Sequence, residues 1–76
     1  MPKVKLSEYA ITLIKEVCAS FNNEEGELIN VLHQVQQKLG YLPAEVQELI
    51  AKELNMSAAK VYGVVTFYSF FTMIVS

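Results

Sequence analysis

Hydrophobic residues recur every three or four positions through most of this chain, a spacing that predicts amphipathic helices. The first helix is predicted to begin at Ser7, whose hydroxyl can cap it, and to end near Ser20. The apolar stripe of this helix consists of Ala10, Ile14, Val17, Cys18 and Phe21. We expect the stripe to face the core of the protein.

A second helix has the clearest amphipathic pattern in the chain. Its apolar positions, which fall within one narrow arc of the helix surface, are Leu28, Val31, Leu32, Val35 and Leu39. Asn23 is predicted to cap its start, and Glu24 and Glu25 are predicted to favour the helix dipole in its first turn. Gly40 is predicted to end the helix, because glycine adopts the left-handed conformation without a steric penalty.

A third helix is predicted from Pro43, which suits a first helical turn because its missing N–H breaks no bond there. The apolar positions that follow at four-residue steps are Val46, Ile50 and Leu54. Asn55 is predicted to stop this helix, and Ser57 is predicted to cap the next one. A connection this short predicts a sharp corner of the helix-turn-helix kind.

The segment from Val61 to Phe71 has a local preference for a strand, since it is rich in β-branched and aromatic residues. A lone strand among three helices would have no partner and would expose an aggregation-prone edge. We therefore predict a fourth helix. Its inward face is predicted to consist of Val61, Val64, Val65, Tyr68 and Phe71. The apolar residues predicted to lie outside are Phe67, Phe70 and Ile74, with Tyr62 at their margin.

The predicted fold class is all-α, a small four-helix orthogonal bundle with a helix-turn-helix-like corner, in a single domain over residues 1–76. The chain has 76 residues, of which 53% are hydrophobic and 18% charged, enough for one small core. Three neighbouring helices cover only one side of a fourth helix that is apolar all round. We predict that Tyr62, Phe67, Phe70 and Ile74 form an interaction surface on its other side.

The charge balance argues against a nucleic-acid partner. The net charge of −2 gives no general attraction to phosphate backbones or anionic membranes. The predicted corner resembles a DNA-binding helix-turn-helix, but its second helix offers Lys60 as its only cation. The uncharged residues 61–76 are fewer than the ~18 that a membrane span requires. We predict neither nucleic-acid binding nor membrane insertion.

Residues with catalytic or metal-binding chemistry are sparse. Cys18 is the single cysteine, which agrees with a reducing, cytoplasmic compartment, and it is expected to be a small buried apolar residue. His33 lies away from the apolar stripe of the second helix and has no neighbouring ligand residues for a metal site. Glu24, Glu25 and Glu27 are expected to serve a helix start. No catalytic, cofactor-binding or metal-binding residue is predicted.

A longer pattern resembles one iron-sulfur protein family. Its parts are LINVLHQVQQKLGYLP at residues 28–43, the pair Ile50-Ala51, and VYGVVTFYSFF at residues 61–71. They are similar to the N-terminal helical region of the small [2Fe-2S] subunit of bacterial-type NADH:quinone oxidoreductase. NAD(P)-reducing hydrogenases and related formate dehydrogenases share that subunit. The joint presence of Gly-Tyr-Leu-Pro and Val-Tyr-Gly-Val-Val-Thr-Phe-Tyr makes the resemblance specific.

Members of that family continue into a thioredoxin-like domain whose four cysteines hold a [2Fe-2S] cluster beside a flavin subunit. Cys18 matches none of those ligands, so the resemblance implies a cluster only in a downstream domain, which we expect to be missing here. It implies a subunit of an NAD(P)H-dependent oxidoreductase that has no activity alone and docks on the flavin-bearing, NADH-oxidising partner during assembly of an electron-transfer complex. The alternatives are self-association through the fourth helix, a stand-alone helical interaction module and a helix-turn-helix DNA-binding protein.

Overall fold

The computed structural model describes residues 6–68, and four α-helices account for most of that part of the chain. In chain order they are α1 (Glu8–Ser20), α2 (Leu28–Leu39), α3 (Ala44–Glu53) and α4 (Ala58–Phe67). A 3₁₀ turn over Glu25–Glu27 precedes α2. Residues 6–68 contain no β-strand, so the predicted all-α fold class is confirmed. The orthogonal crossing of the helices stays a prediction.

The first helix begins where the sequence predicts. The Ser7 Oγ accepts a hydrogen bond from the Ala10 backbone N–H at 3.1 Å, which caps the helix. The helix ends in two left-handed residues, Asn22 at φ 59° and Asn23 at φ 51°. The Asn23 N–H donates back to the Cys18 carbonyl at 2.9 Å, which satisfies one of the last carbonyls of α1.

The prediction that Asn23 caps the second helix is therefore wrong. Its left-handed backbone belongs to the end of α1, and no side chain caps the 3₁₀ turn that follows at Glu25. The Asn23 side-chain amide instead donates to the Glu53 carbonyl at 3.2 Å, at the last residue of α3. Asn23 thus links the end of α1 to the end of α3, and it does not cap the start of α2.

The loop between α2 and α3 largely follows the prediction. Gly40 ends α2 at φ 92°, and its N–H donates to the Gln36 carbonyl at 2.6 Å. Pro43 lies at the N-cap position, one residue before the predicted first turn, and α3 begins at Ala44. The buried Gln47 donates through its side-chain amide to the Leu42 carbonyl at 2.7 Å and thereby fixes the loop to α3.

The corner between α3 and α4 is as short as predicted. Asn55 is left-handed at φ 56°, and the Met56 N–H donates to the Ala51 carbonyl at 2.9 Å. These features are those of a Schellman motif with asparagine in place of glycine. The Ser57 Oγ then caps α4 by accepting the Lys60 N–H at 3.1 Å. Both the predicted stop and the predicted cap are confirmed.

The fourth helix is shorter than predicted. It ends at Phe67, and the Tyr68 backbone is already extended at φ −96° and ψ 118°, so the predicted continuation of the helix to Phe71 is wrong. Tyr68 still packs against the core, half-buried, from this extended position. Phe70, Phe71 and Ile74 lie outside the described residues.

The core joins all four helices. Helix α3 packs most extensively against α4 and also against α1, while α1 packs against α2. The fully or almost fully buried apolar residues that form this core are Ile14, Val17, Cys18, Leu28, Val31, Leu32, Val35, Leu42, Val46, Ile50, Ala51, Leu54, Val61 and Val65. Phe21 and Leu39 lie half-buried at the edge of the core. The predicted inward position of Val61 and Val65 is confirmed, and α4 is held to the core by that side.

Candidate functional site

The side of α4 that faces away from the core carries two exposed aromatic residues. Tyr62 is 53% exposed and Phe67 is 82% exposed, whereas Val61 and Val65 on the opposite side are 0% and 2% exposed. No residue from Val61 to Phe67 is charged. This side is therefore an apolar surface that the described part of the chain leaves uncovered.

Small residues lie between those two aromatic residues. At 3.6 residues per turn, Ala59, Gly63 and Thr66 fall in the middle of the exposed side of α4, with Tyr62 and Phe67 on either flank. All five residues are exposed. We call these five residues the α4 face. On the helical projection the three small residues occupy its middle and the two aromatic residues its flanks.

Two polar side chains on or beside the α4 face, Thr66 and Lys60, have partners within the chain. The Thr66 Oγ1 donates to carbonyls of its own helix, at 3.1 Å to Tyr62 and 3.0 Å to Gly63. The Lys60 Nζ forms an ion pair with the Glu25 carboxylate across the start of α4. The Thr66 hydroxyl consequently has its hydrogen bonded within the helix, and the cation beside the α4 face is paired.

A groove opens beside the α4 face, between the starts of α3 and α4. Its volume is about 250 Å³, and its lining residues are Ala44, Gln47, Glu48, Ala58, Ala59 and Tyr62. Ligand pockets are usually larger, roughly 300–1,000 Å³. Because Ala59 and Tyr62 belong to both surfaces, the groove extends the α4 face towards α3. Its size suits a side chain of a protein partner better than a cofactor.

The single cysteine has the environment of a structural residue. Cys18 is fully buried, and burial, with a second contribution from the Glu53 carboxylate, raises the pKa of its thiol from 9.0 to about 11. The thiol is therefore protonated near neutral pH, and the thiolate is the form that attacks electrophiles and binds metals. The expectation that Cys18 is a buried apolar residue is confirmed.

The described residues also show no assembly of metal-binding groups. Within residues 6–68, no three His, Cys, Asp or Glu side chains come together in a way that would hold a metal ion. His33 is exposed, as expected. In the same part of the chain, every helix is too short or too polar to cross a membrane.

The fold and the sequence together define the class of protein. Residues 14–75 match the family model of the thioredoxin-like [2Fe-2S] ferredoxins, so the chain belongs to that family. A curated relative is the NADP-reducing hydrogenase subunit HndA of Solidesulfovibrio fructosivorans, which is 51% identical over 55 residues. The matched stretch covers 72% of this chain and 32% of that relative. The chain thus spans about a third of the relative's length. The predicted resemblance to the small [2Fe-2S] subunit is confirmed.

The residues of this chain do not fit the family's cluster. A [2Fe-2S] cluster is held by four protein ligands, typically cysteine thiolates, and the sequence contains one cysteine. That cysteine is buried and protonated near neutral pH. The 76 residues therefore supply one of the four thiolates that such a cluster takes.

Two of the four residues predicted for the interaction surface, Tyr62 and Phe67, lie together on the α4 face. The other two, Phe70 and Ile74, lie outside the described residues. Sequence reasoning missed the small residues in the middle of the α4 face, among them Gly63. The glycine itself was a signal, because Gly63 lies in the interior of a predicted helix, where no turn requires a glycine.

Proposed function

We propose that this chain is the docking region of an iron-sulfur subunit in an NAD(P)H-linked oxidoreductase and has no catalytic activity of its own. In this proposal it holds a [2Fe-2S]-bearing domain against the flavin-bearing subunit that oxidises NADH or NADPH. Family membership supports the link to [2Fe-2S] proteins. The relative's description as a hydrogenase subunit supports an assembly of several chains.

The observation that carries the docking role is the exposure of Phe67. Phe67 is 82% exposed although Val61 and Val65 on the opposite side of the same helix are buried in the core. Covering an exposed phenylalanine side chain stabilises a complex by roughly 1.5–3 kcal/mol. Together with Tyr62, it gives a partner an apolar contact site on an otherwise acidic chain.

The charges around α4 support a protein partner over DNA. Helix α4 carries one cation, Lys60, and that cation is paired with Glu25. Phosphate contacts from free lysine and arginine side chains supply most of the affinity of DNA-binding proteins. The α4 face offers the aromatic residues Tyr62 and Phe67 instead, and aromatic residues are enriched in protein interfaces.

The test is to capture the tagged protein from the cells that make it and to analyse what it retains. The retained fraction is assayed for released flavin and for NADH- or NADPH-dependent reduction of an artificial acceptor dye. The double variant Tyr62→Ser, Phe67→Ser should lose both signals. The matched control is Tyr9→Ser, which removes an aromatic that is 69% exposed on α1 and should leave both signals unchanged.

Two outcomes would contradict the proposal. One is that the unaltered protein retains no flavin and no NAD(P)H-oxidising activity. The other is that the double variant, still helical by circular dichroism, retains as much of both as the Tyr9→Ser control. In that second case a partner is present, but it binds elsewhere on the chain.

A further inference from the structure

We propose that the loop over residues 21–27, which we call the strap, controls a separate opening of α4. In this opening α4 leaves the bundle as a unit while α1, α2 and α3 stay folded. Two side-chain links from the strap to the corner between α3 and α4 hold α4 in place. The opening requires no partner on the α4 face.

Helix α4 has the smallest share of the core among the four helices. Its buried residues are Val61 and Val65, whereas α1, α2 and α3 contribute four buried residues each. It packs chiefly against α3, its neighbour in the chain, and less against α2. Elements with few buried apolar contacts open at a lower free energy than the rest of a protein. Helix α4 is therefore the element that opens first.

The residues of α4 give it little helix stability of their own. Five of its ten residues are glycine or β-branched, namely Val61, Gly63, Val64, Val65 and Thr66. Glycine weakens a helix interior, and β-branched side chains lose rotamer freedom there. An isolated helix of this length is also unstable in water. Once α4 loses contact with the core its helix should not persist, so its detachment and its unfolding are one event.

The strap is joined by side chains to both helices of the corner. The Asn23 side-chain amide donates to the carbonyl of Glu53, the last residue of α3, at 3.2 Å. The Glu25 carboxylate pairs with the Lys60 ammonium in the first turn of α4. These two links join residues that are 30 and 35 positions apart in the sequence. One link thus holds the end of α3, and the other holds the start of α4.

The position of Lys60 shows that its charge does not stabilise α4 locally. Ser57 is the N-cap, so Lys60 is the third residue of the helix, where a capping box has Glu or Gln. A cation in the first turn is repelled by the positive end of the helix dipole. The Glu25 carboxylate, which lies outside α4, offsets that repulsion. The strap therefore stabilises the start of α4 in a way that the helix cannot.

The strength of the two links suits the control of one helix. The side chains of Lys60 and Glu25 are 60% and 49% exposed, and an ion pair of this kind shifts an equilibrium by about fivefold at most. Folding equilibrium constants are roughly 10³–10⁸, so a factor of this size does not decide whether the chain folds. It does shift the opening of a single marginal helix. Salt screens the pair, so the strap loosens as the ionic strength rises.

The test is native-state hydrogen exchange of the purified full chain, followed residue by residue by NMR. The amides of α4 should be at least about tenfold less protected than those of Leu32 and Val35 in α2, because α4 opens by itself. Glu25→Gln should speed exchange in α4 about two- to fivefold and leave α2 unchanged. Since Glu25 lies outside α4, this substitution does not alter the helix preference of α4. Asn23→Asp, which keeps the side-chain shape but cannot donate, should also speed exchange in α4.

The matched control is Glu24→Gln, which neutralises the neighbouring exposed carboxylate of the strap and should leave exchange in α4 unchanged. In about 1 M NaCl the Glu25→Gln and Glu24→Gln proteins should exchange at the same rate, because the ion pair is screened. Equal protection of α4 and α2 in the unaltered chain would show that α4 does not open separately. If α4 opens separately but exchanges equally fast in the Glu25→Gln and Glu24→Gln proteins at low salt, the strap does not control it.

Discussion

At the scale of single residues, Cys18 shows how burial converts a reactive group into a packing group. Its thiol is fully buried, and its pKa rises to about 11 mainly because the anion would lose its hydration. The Glu53 carboxylate adds a repulsion of the same sign. Near neutral pH the thiol keeps its proton, which disfavours metal ligation and disulfide exchange, and the contribution of Cys18 is to the packing of the core.

The raised pKa of Cys18 predicts a pH-dependent stability. The folded state keeps its proton up to about pH 11, whereas the unfolded thiol loses it from about pH 9. The contribution of the protonated thiol to the free energy of unfolding is therefore fully present below pH 9. It is lost as the pH rises from 9 to 11, by up to about 2–3 kcal/mol. We expect urea unfolding at pH 8 and pH 11 to show a larger loss for the unaltered chain than for Cys18→Ala.

That comparison removes the contribution of other titrating groups, because Cys18→Ala retains all of them. At pH 8 the variant should be less stable, since it leaves a small cavity in the core. Equal losses between pH 8 and pH 11 for the two proteins would show that the thiol does not titrate as described.

Three asparagines show where residue-level prediction succeeds and where it fails. Asn55 was predicted as a helix stop because it follows the last apolar position of α3, and it lies at φ 56°. Asn22 and Asn23 are left-handed as well, at φ 59° and φ 51°. Asparagine suits both a helix start and a left-handed helix end. Asn22 and Asn23 lie between two predicted helices, so they fit either the end of the first helix or the start of the second. The sequence does not distinguish these two roles.

At the scale of secondary-structure elements, α4 depends on its surroundings. Its residues favour a strand by local preference, yet it forms a helix because Val61 and Val65 fit the core formed by the other helices. The prediction from the sequence also missed that α4 ends at Phe67. No glycine, proline or asparagine follows within the next residues to mark the stop, so the apolar pattern alone suggested a longer helix.

A pair of substitutions on α4 tests the division between its inner and outer sides. Val65→Ser places a hydroxyl in the core and should cost about 2–4 kcal/mol. Phe67→Ser removes an exposed ring that forms an edge-to-face pair with Tyr68, with 5.4 Å between the two ring centroids. The substitution should lower the free energy of unfolding by about 1 kcal/mol or less. Urea unfolding followed by circular dichroism measures both. Similar losses for the two variants would mean that Phe67 is part of the core.

At the scale of the whole molecule, the sequence predicts the fold better than the function. The order of the helices and the short corner at Asn55 and Ser57 follow from capping residues and apolar spacing, which act locally. The α4 face depends on which side of a helix with apolar residues on every side is covered by the core, and this is decided by packing. Tyr62 and Phe67 were predicted from that reasoning, while Gly63 becomes informative only once its empty surroundings are known.

The final prediction concerns the cofactor that defines the family. The purified chain, incubated with iron and sulfide under reducing, anaerobic conditions, should remain colourless, because a cluster takes four protein ligands and the chain supplies one cysteine. Association of two copies would supply only two thiols, each buried as Cys18 is. Visible absorbance and bound iron measure the outcome. A stable absorbance with stoichiometric iron that Cys18→Ser abolishes would show that the core opens to expose this thiol, and it would overturn the expectation that this chain binds no cluster.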